Sequence, residues 1–167
     1  MDALLQRIQQ IHDDCHRLCM LVMGKYIAVA GNIGIFCQSD DEYNEFLVYK
    51  DELTKPSPNP NQKYFELIEP IKVEGKDSLP QSVYTHLYIR KPDHTSYGKY
   101  LGDVDFVMDE ASYKQFKLDV LTGKYAEGVE VYSRPNWDTV QITFPEVSSV
   151  AYISTKEFSE KVRVKFD

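Results

Sequence analysis

From Leu4 the apolar residues Ile8, Ile11, Cys15, Leu18 and Val22 recur every three or four positions, which predicts an amphipathic helix over residues 2–23 with one buried stripe. Gly24 is placed to stop it. Residues 26–30 and 32–37 then read as extended. Ser39 followed by Glu42 makes a capping box that opens a helix running to about Leu53. Residues 55–61 hold Pro56, Pro58 and Pro60 and can be neither helix nor central strand. Residues 63–67 and 85–90 read as strands on either side of the polar loop 74–82. Beyond Pro92 and Gly98 the pattern predicts a strand over 103–108, a helix over 109–121 and short strands over 128–133, 139–144 and 150–154. Lys161, Arg163 and Lys165 alternate with Val162, Val164 and Phe166, which predicts a C-terminal strand over 161–166 with its charges on the open side of a sheet edge.

The elements repeat. Gly31, Ile33, Ile35 and Phe36 match Gly102, Val104, Phe106 and Val107 at one constant offset, and one residue less brings Tyr43 and Phe46 onto Tyr113 and Phe116. Pro60, Asn61, Phe65, Leu67 and Pro70 match Pro135, Asn136, Val140, Ile142 and Pro145 at a second offset. A repeat constrains the whole fold more than any single element does. The expected architecture is one α+β domain over 1–167, with the N-terminal helix, repeat one over about 26–90, repeat two over about 102–154 and the last strand. The two βα(β)β repeats would form a mixed, curved sheet.

Composition narrows the function. With 19 Lys+Arg against 26 Asp+Glu the chain carries −7, which repels phosphate backbones and leaves no basic patch for nucleic acid or anionic lipid. Glycines and Lys25 break the apolar run 18–37 before it reaches the length of a membrane span. Three cysteines and no leader with a basic start place the expected location in the cytoplasm. No dinucleotide fingerprint, P-loop or nucleophile elbow is present. His12, Cys15, His16 and Cys19 share one side of the first helix, but one straight helix rarely wraps a tetrahedral zinc ion, and the two cysteines suit a core.

Asn32-Ile33-Gly34-Ile35 and Asp103-Val104-Asp105-Phe106-Val107 resemble the first-strand motifs His-Ile-Gly-Ile and His-Val-x-Phe-Val of the vicinal oxygen chelate superfamily, the glyoxalases, extradiol dioxygenases and their non-enzymatic relatives. Residues 60–67 and 135–142 are similar to its Pro-Asp-Gly-Asn-x-φ-Glu-Leu turn and last strand. The resemblance covers roughly residues 31–145. It implies paired βαβββ modules, here shortened, with metal ligands that fall at Asn32, Glu66, Asp103 and Gln141, where only Glu66 keeps the family's residue type. A register that takes residues 85–90 as a first strand restores one histidine, His86.

The candidate ligand-binding residues are therefore Glu66, His86, Asp103, Gln141 and Asn32, and the candidate metal set is Glu66, His86 and Asp103. Two functions stay open. One is a small-molecule-binding or interaction domain without catalysis, which the loss of ligands at Asn32 and Gln141 favours. The other is a lyase-, isomerase- or dioxygenase-like enzyme that uses a divalent metal on a small molecule. A protein partner would need an exposed tyrosine patch, around Tyr88, Tyr97 and Tyr100, and a second copy of the chain is the alternative cover for the helix stripe, giving a homodimer.

Overall fold

The computed structural model describes residues 1–164. Helix α1 (Asp2–Met23) precedes β1 (Ala28–Phe36), α2 (Asp40–Leu53), β2 (Phe65–Val73) and β3 (Ser82–Arg90). Then come β4 (Gly102–Met108), α3 (Glu110–Leu121), β5 (Val129–Arg134), β6 (Trp137–Ile142), β7 (Ser149–Thr155) and α4 (Lys156–Lys161). The fold is α+β, and its seven strands make one mixed, curved sheet in the order β2-β3-β1-β4-β7-β6-β5. β1 runs parallel to β3 and β4 parallel to β7, while β1 and β4 meet antiparallel at the centre.

Strand alternation divides the sheet into two unlike faces. Ile33, Ile35, Leu87, Val104, Phe106 and Ile153 point to one side and form a single core with the apolar stripe of α1, Phe46 of α2 and Phe116 of α3. Leu4, Ile8, Ile11, Cys15 and Leu18 are all buried there, so the stripe is covered by the chain's own sheet. Gly24 ends α1 in the left-handed conformation (φ 65°) and donates its N–H to the Met20 carbonyl. Ser39 and Asp109 cap α2 and α3 by accepting from Glu42 N and Ser112 N.

The polar side of α1 is spent inside the protein. His12 Nε2 donates to the Pro80 carbonyl (3.1 Å) and its Nδ1 accepts from the Tyr84 hydroxyl (2.9 Å). His16 Nε2 bonds the Ser82 hydroxyl (2.9 Å), and Cys15 donates to the Val150 carbonyl (3.3 Å). Among the described residues these four side chains do not form a group placed to hold a metal ion. Burial first, then neighbouring His12, lowers the His16 pKa to about 4. In the unfolded chain it titrates near 6.5, so this histidine supports the fold fully above pH 6.5, and that support is lost as pH falls toward 4. His16 by itself contributes a loss of Tm between pH 6.5 and 4, so in a thermal-melt series the difference between wild type and His16→Leu should change over that window. An unchanged slope in the variant would sink the assignment.

Three expectations are corrected by the structure. β1 is one strand, bent at a bulge where Gly31 takes φ 89° and a Cβ would meet the Thr85 hydroxyl at 2.7 Å. β2 continues through Pro70 to Val73, because it is an edge strand whose register with β3 shifts between Glu66 and Ile71, where a missing N–H is tolerated. The C-terminal strand over 161–166 does not form at its start: Thr155 caps helix α4 by accepting from Phe158 N, Lys161 ends that helix paired with Glu157 (2.6 Å), and Val162 and Arg163 make a turn. Val164 makes a single bridge to Gln62, and residues 165–166 lie outside the described residues. Among the described residues no helix is long and apolar enough to cross a membrane.

Candidate ligand-binding cavity

The second face of the sheet is polar, and helix α4 lies across β1, β4 and β7 on that side, where the Ser159 carbonyl accepts from Asn32 Nδ2 (2.7 Å). Strand register sets one row of side chains across all seven strands: Glu66, His86, Asn32, Asp105, Tyr152, Gln141 and Glu130. The five candidate residues all belong to this face, four of them in the row and Asp103 one step along β4. They do not converge. Neighbouring strands lie about 4.8 Å apart, so Glu66 on β2 and Asp103 on β4, three steps away, are separated by roughly 14 Å of sheet. Ligand atoms around one ion sit about 2.0–2.6 Å from it.

Each member of the Glu66, His86, Asp103 set instead has its own partner. Glu66 is exposed and paired with Lys55 (2.6 Å), whose hydrogen bond and charge lower its pKa. His86 shares a hydrogen bond with the Thr85 hydroxyl (2.9 Å), and burial followed by the Arg163 charge brings its pKa down to about 4, so it is neutral at physiological pH. Asp103 Oδ1 accepts from the Tyr64 hydroxyl (3.0 Å). Among the described residues no group of three or more His, Cys, Asp or Glu is placed to hold a metal.

What the fold does assemble is a pair of buried carboxylates. Asp103 and Asp105 alternate with Val104 on β4, so both point to the polar face while Val104 enters the core. Gly34 lies opposite Asp103 because a Cβ there would come within 2.2 Å of Oδ1. Asp105 Oδ2 accepts from Asn32 Nδ2 (2.9 Å), and Asn32 Oδ1 accepts in turn from Arg163 Nε (2.8 Å). Burial, then the charge of Asp103, raises the Asp105 pKa to about 7. Burial also raises Asp103, against the pull of Lys63. Two adjacent carboxylates out of water do not both ionise readily, so the pair holds a proton near neutral pH.

These carboxylates form the floor of a cavity of about 1120 Å³. Beside them Tyr97 and Tyr152 share a hydrogen bond, and the Tyr152 hydroxyl donates to Gln141 Oε1 (3.2 Å). One wall carries Lys63 over the rings of Tyr64 and Tyr88 (5.2 Å each) and Arg90 over Phe36 and Tyr97 (4.9 and 5.0 Å). The opposite wall is the β5–β6 hairpin with Tyr132, Arg134 and Trp137, backed by Phe158 of α4. Tyr88, Tyr97 and Tyr100 are half-buried, and the first two line this cavity, so they form no exposed docking patch.

Asp105, Tyr64, Tyr152 and Arg163 escape a reading of the sequence as site residues, and Tyr97 enters it only as part of an exposed patch. The Asp103-Val104-Asp105 alternation marks two carboxylates on one face. That the face is covered depends on α4 and on residues 60–64, whose placement no local pattern records.

No protein-family model and no curated protein matches the chain. A solved structure described as "Structural Genomics, Protein EC4020" is similar at a TM-score of 0.54 with 13% identity, over 96% of this chain and 91% of that one. At that identity the likeness establishes the fold.

Proposed function

We propose that the protein binds a small molecule in the cavity on its polar sheet face, on a duplicated, shortened glyoxalase-like scaffold and without catalysis. The observation that carries this reading is the floor: two carboxylates, each under 7% exposed, held by Tyr64 and Asn32 beneath 1120 Å³ of space. Burying two acids costs stability, so their retention in a large cavity with convergent polar groups supports a ligand site there.

Three features support the duplication. Parallel pairs β1–β3 and β4–β7 flank an antiparallel seam in which Ile33 lies opposite Val104, the residues equated by the sequence offset. Phe46 and Phe116 are both buried beneath equivalent helices. β2 and β6 each sit one strand beyond the parallel partner, and β5 has no counterpart in the first half.

Screening a mixed metabolite library by ligand-observed NMR tests the binding reading. Gln141→Trp fills the floor beside Tyr152, so wild-type binders should be lost in this variant while its melt stays within about 5 °C, as for an ordinary half-buried substitution. Binders that ignore the variant, or a library with none, would end the reading. A second reading rests on Asp105, whose poise near neutral pH suits a general acid or base. Under it Asp105→Asn abolishes turnover of a bound molecule, whereas a binding module keeps its affinity within about threefold.

A further inference from the structure

We infer that the ligand is an anionic, polyhydroxylated small molecule of the sugar-acid or sugar-phosphate class, with its anionic group against Lys63 and Arg90 and its hydroxyls on Asp103 and Asp105. This rests on the cavity being a ligand site. It goes further by reading the chemistry of the three surfaces that enclose the space.

The first surface is cationic in a chain of −7. Lys63 sits over two tyrosine rings, and among the described residues it has no carboxylate partner. Arg90 is paired with Asp93 through one nitrogen, and its guanidinium carbon sits 4.9 and 5.0 Å from the ring centres of Phe36 and Tyr97. Both cations act on Asp103, which places them beside the floor. A cation held on aromatic faces keeps its charge available to an incoming anion while its stem is fixed. The same occupancy argues against a cationic ligand, because the ring faces that would cage an ammonium group already hold Lys63 and Arg90.

The floor presents the complementary half. Asp103 Oδ1 and Asp105 Oδ2 are taken by Tyr64 and Asn32. Both residues line the cavity and keep a little exposure to it, Asp103 with a further backbone hydrogen bond from Gly34 and Asp105 with Asn32 as its side-chain partner among the described residues. Gln141 receives Tyr152 on its oxygen and keeps its amide N–H groups for the cavity. Acceptors and donors are both present on this floor, which suits hydroxyls, because each hydroxyl both donates and accepts. The third surface is Tyr132 and Trp137 with Arg134 over the Tyr132 ring (5.2 Å), so it adds a further cation to aromatic rings against which the C–H face of a sugar ring packs. A simple inorganic anion would satisfy the first surface and leave the buried oxygens of the second unpaired.

The test is calorimetry and thermal shift on the whole chain with gluconate, glucose 6-phosphate, glucose, inorganic phosphate and choline. Gluconate or glucose 6-phosphate should bind, and the stronger of the two decides between carboxylate and phosphate. Glucose, phosphate and choline should bind at least about tenfold more weakly. Lys63→Ala, with Lys63→Gln as the variant that keeps most of the stem, should weaken the anionic probe about tenfold or more, and Asp103→Asn should do the same. Lys114→Ala, an exposed change on α3, should leave binding unaltered. Glucose or choline binding as well as the anions, loss of the Lys63 dependence, or no binding by any of the five overturns the class. If glucose or choline binds and Asp103→Asn removes it, the cavity remains the site and only its ligand class is wrong. If the library screen on wild type and Gln141→Trp finds nothing, the site itself fails.

Discussion

Asp105→Asn is expected to make the protein more stable at pH 8, with a Tm raised by on the order of 10 °C. Asp105 is buried, and its pKa rises from 3.8 to about 7 on folding. The folded state therefore binds its proton more tightly than the unfolded chain does, and between those two values stability declines as pH rises. Above pH 7 the whole penalty is in force, up to about 4 kcal/mol at 1.36 kcal/mol per unit. At about 2–4 °C per kcal/mol for a chain of this size, that sets the predicted rise. Asparagine keeps an oxygen for Asn32 Nδ2 and removes the charge. The gain should shrink as pH falls toward 4 and vanish only below 3.8, where the aspartate becomes protonated in the unfolded chain as well. The His16 contribution runs in the opposite direction over pH 6.5 to 4, so the two partly cancel in the wild type and separate only in the variants. A variant no more stable than wild type at pH 8 would show that Arg163 and Lys63 already offset the burial of this carboxylate.

Gly102→Ala should be the most damaging single methyl group in the central seam. A Cβ at Gly102 would lie 2.2 Å from the Gly34 carbonyl and 2.4 Å from Ile11 Cδ1. Ile11 can yield by changing rotamer, but the Gly34 carbonyl is backbone in a strand paired to β4 at that point, so the two strands must part. Overpacking of this kind costs about 1–3 kcal/mol and here belongs at the upper end, a Tm loss of about 6–12 °C. Separating β1 from β4 also moves Asp103 away from Gly34, so ligand affinity should fall with stability. Gly123→Ala is the control: its φ of 76° makes alanine strained, yet nothing stands within 4 Å of the new methyl. Its loss should be about 1–2 kcal/mol, with affinity unchanged. Equal losses at the two positions would contradict the close approach at the seam.

These two sites also mark how much of the molecule the sequence disclosed. The helical period of α1, the Ser39 cap and the alternation along β4 are local, and each is written in a few consecutive residues. Asp103 and Asp105 could be placed on one face by counting in twos. Their burial could not be read, since it depends on Tyr64 arriving from a proline-rich loop and on Arg163 reaching Asn32. Arg163 looked like the solvent-facing charge of an edge strand because Lys-Val-Arg-Val alternates, while the capping hydroxyl of Thr155 decides the local structure instead. Glu66 is reached through the resemblance to the vicinal oxygen chelate last strand and His86 through the alternative first-strand register, but strand order, which no short motif encodes, sets them on the outer side of β1. Their distance from the carboxylate pair follows from the position of β2 at the sheet edge.

The Arg163–Asn32 bond spans 131 positions of the chain, and that separation has a consequence in time. During synthesis β1 and β4 emerge well before residues 156–163, so the central sheet can form while its polar floor is still open to water. Because that floor is built of Asp103, Asp105, Asn32 and Tyr152 and not of aliphatic groups, waiting uncovered exposes little that neighbouring nascent chains would adhere to. The apolar face has the reverse schedule, since α1, which covers much of it, is made first and is ready when each strand arrives. Order of manufacture thus matches order of need, and only the late arrival of Arg163 and α4 turns a wet sheet surface into a half-open cleft.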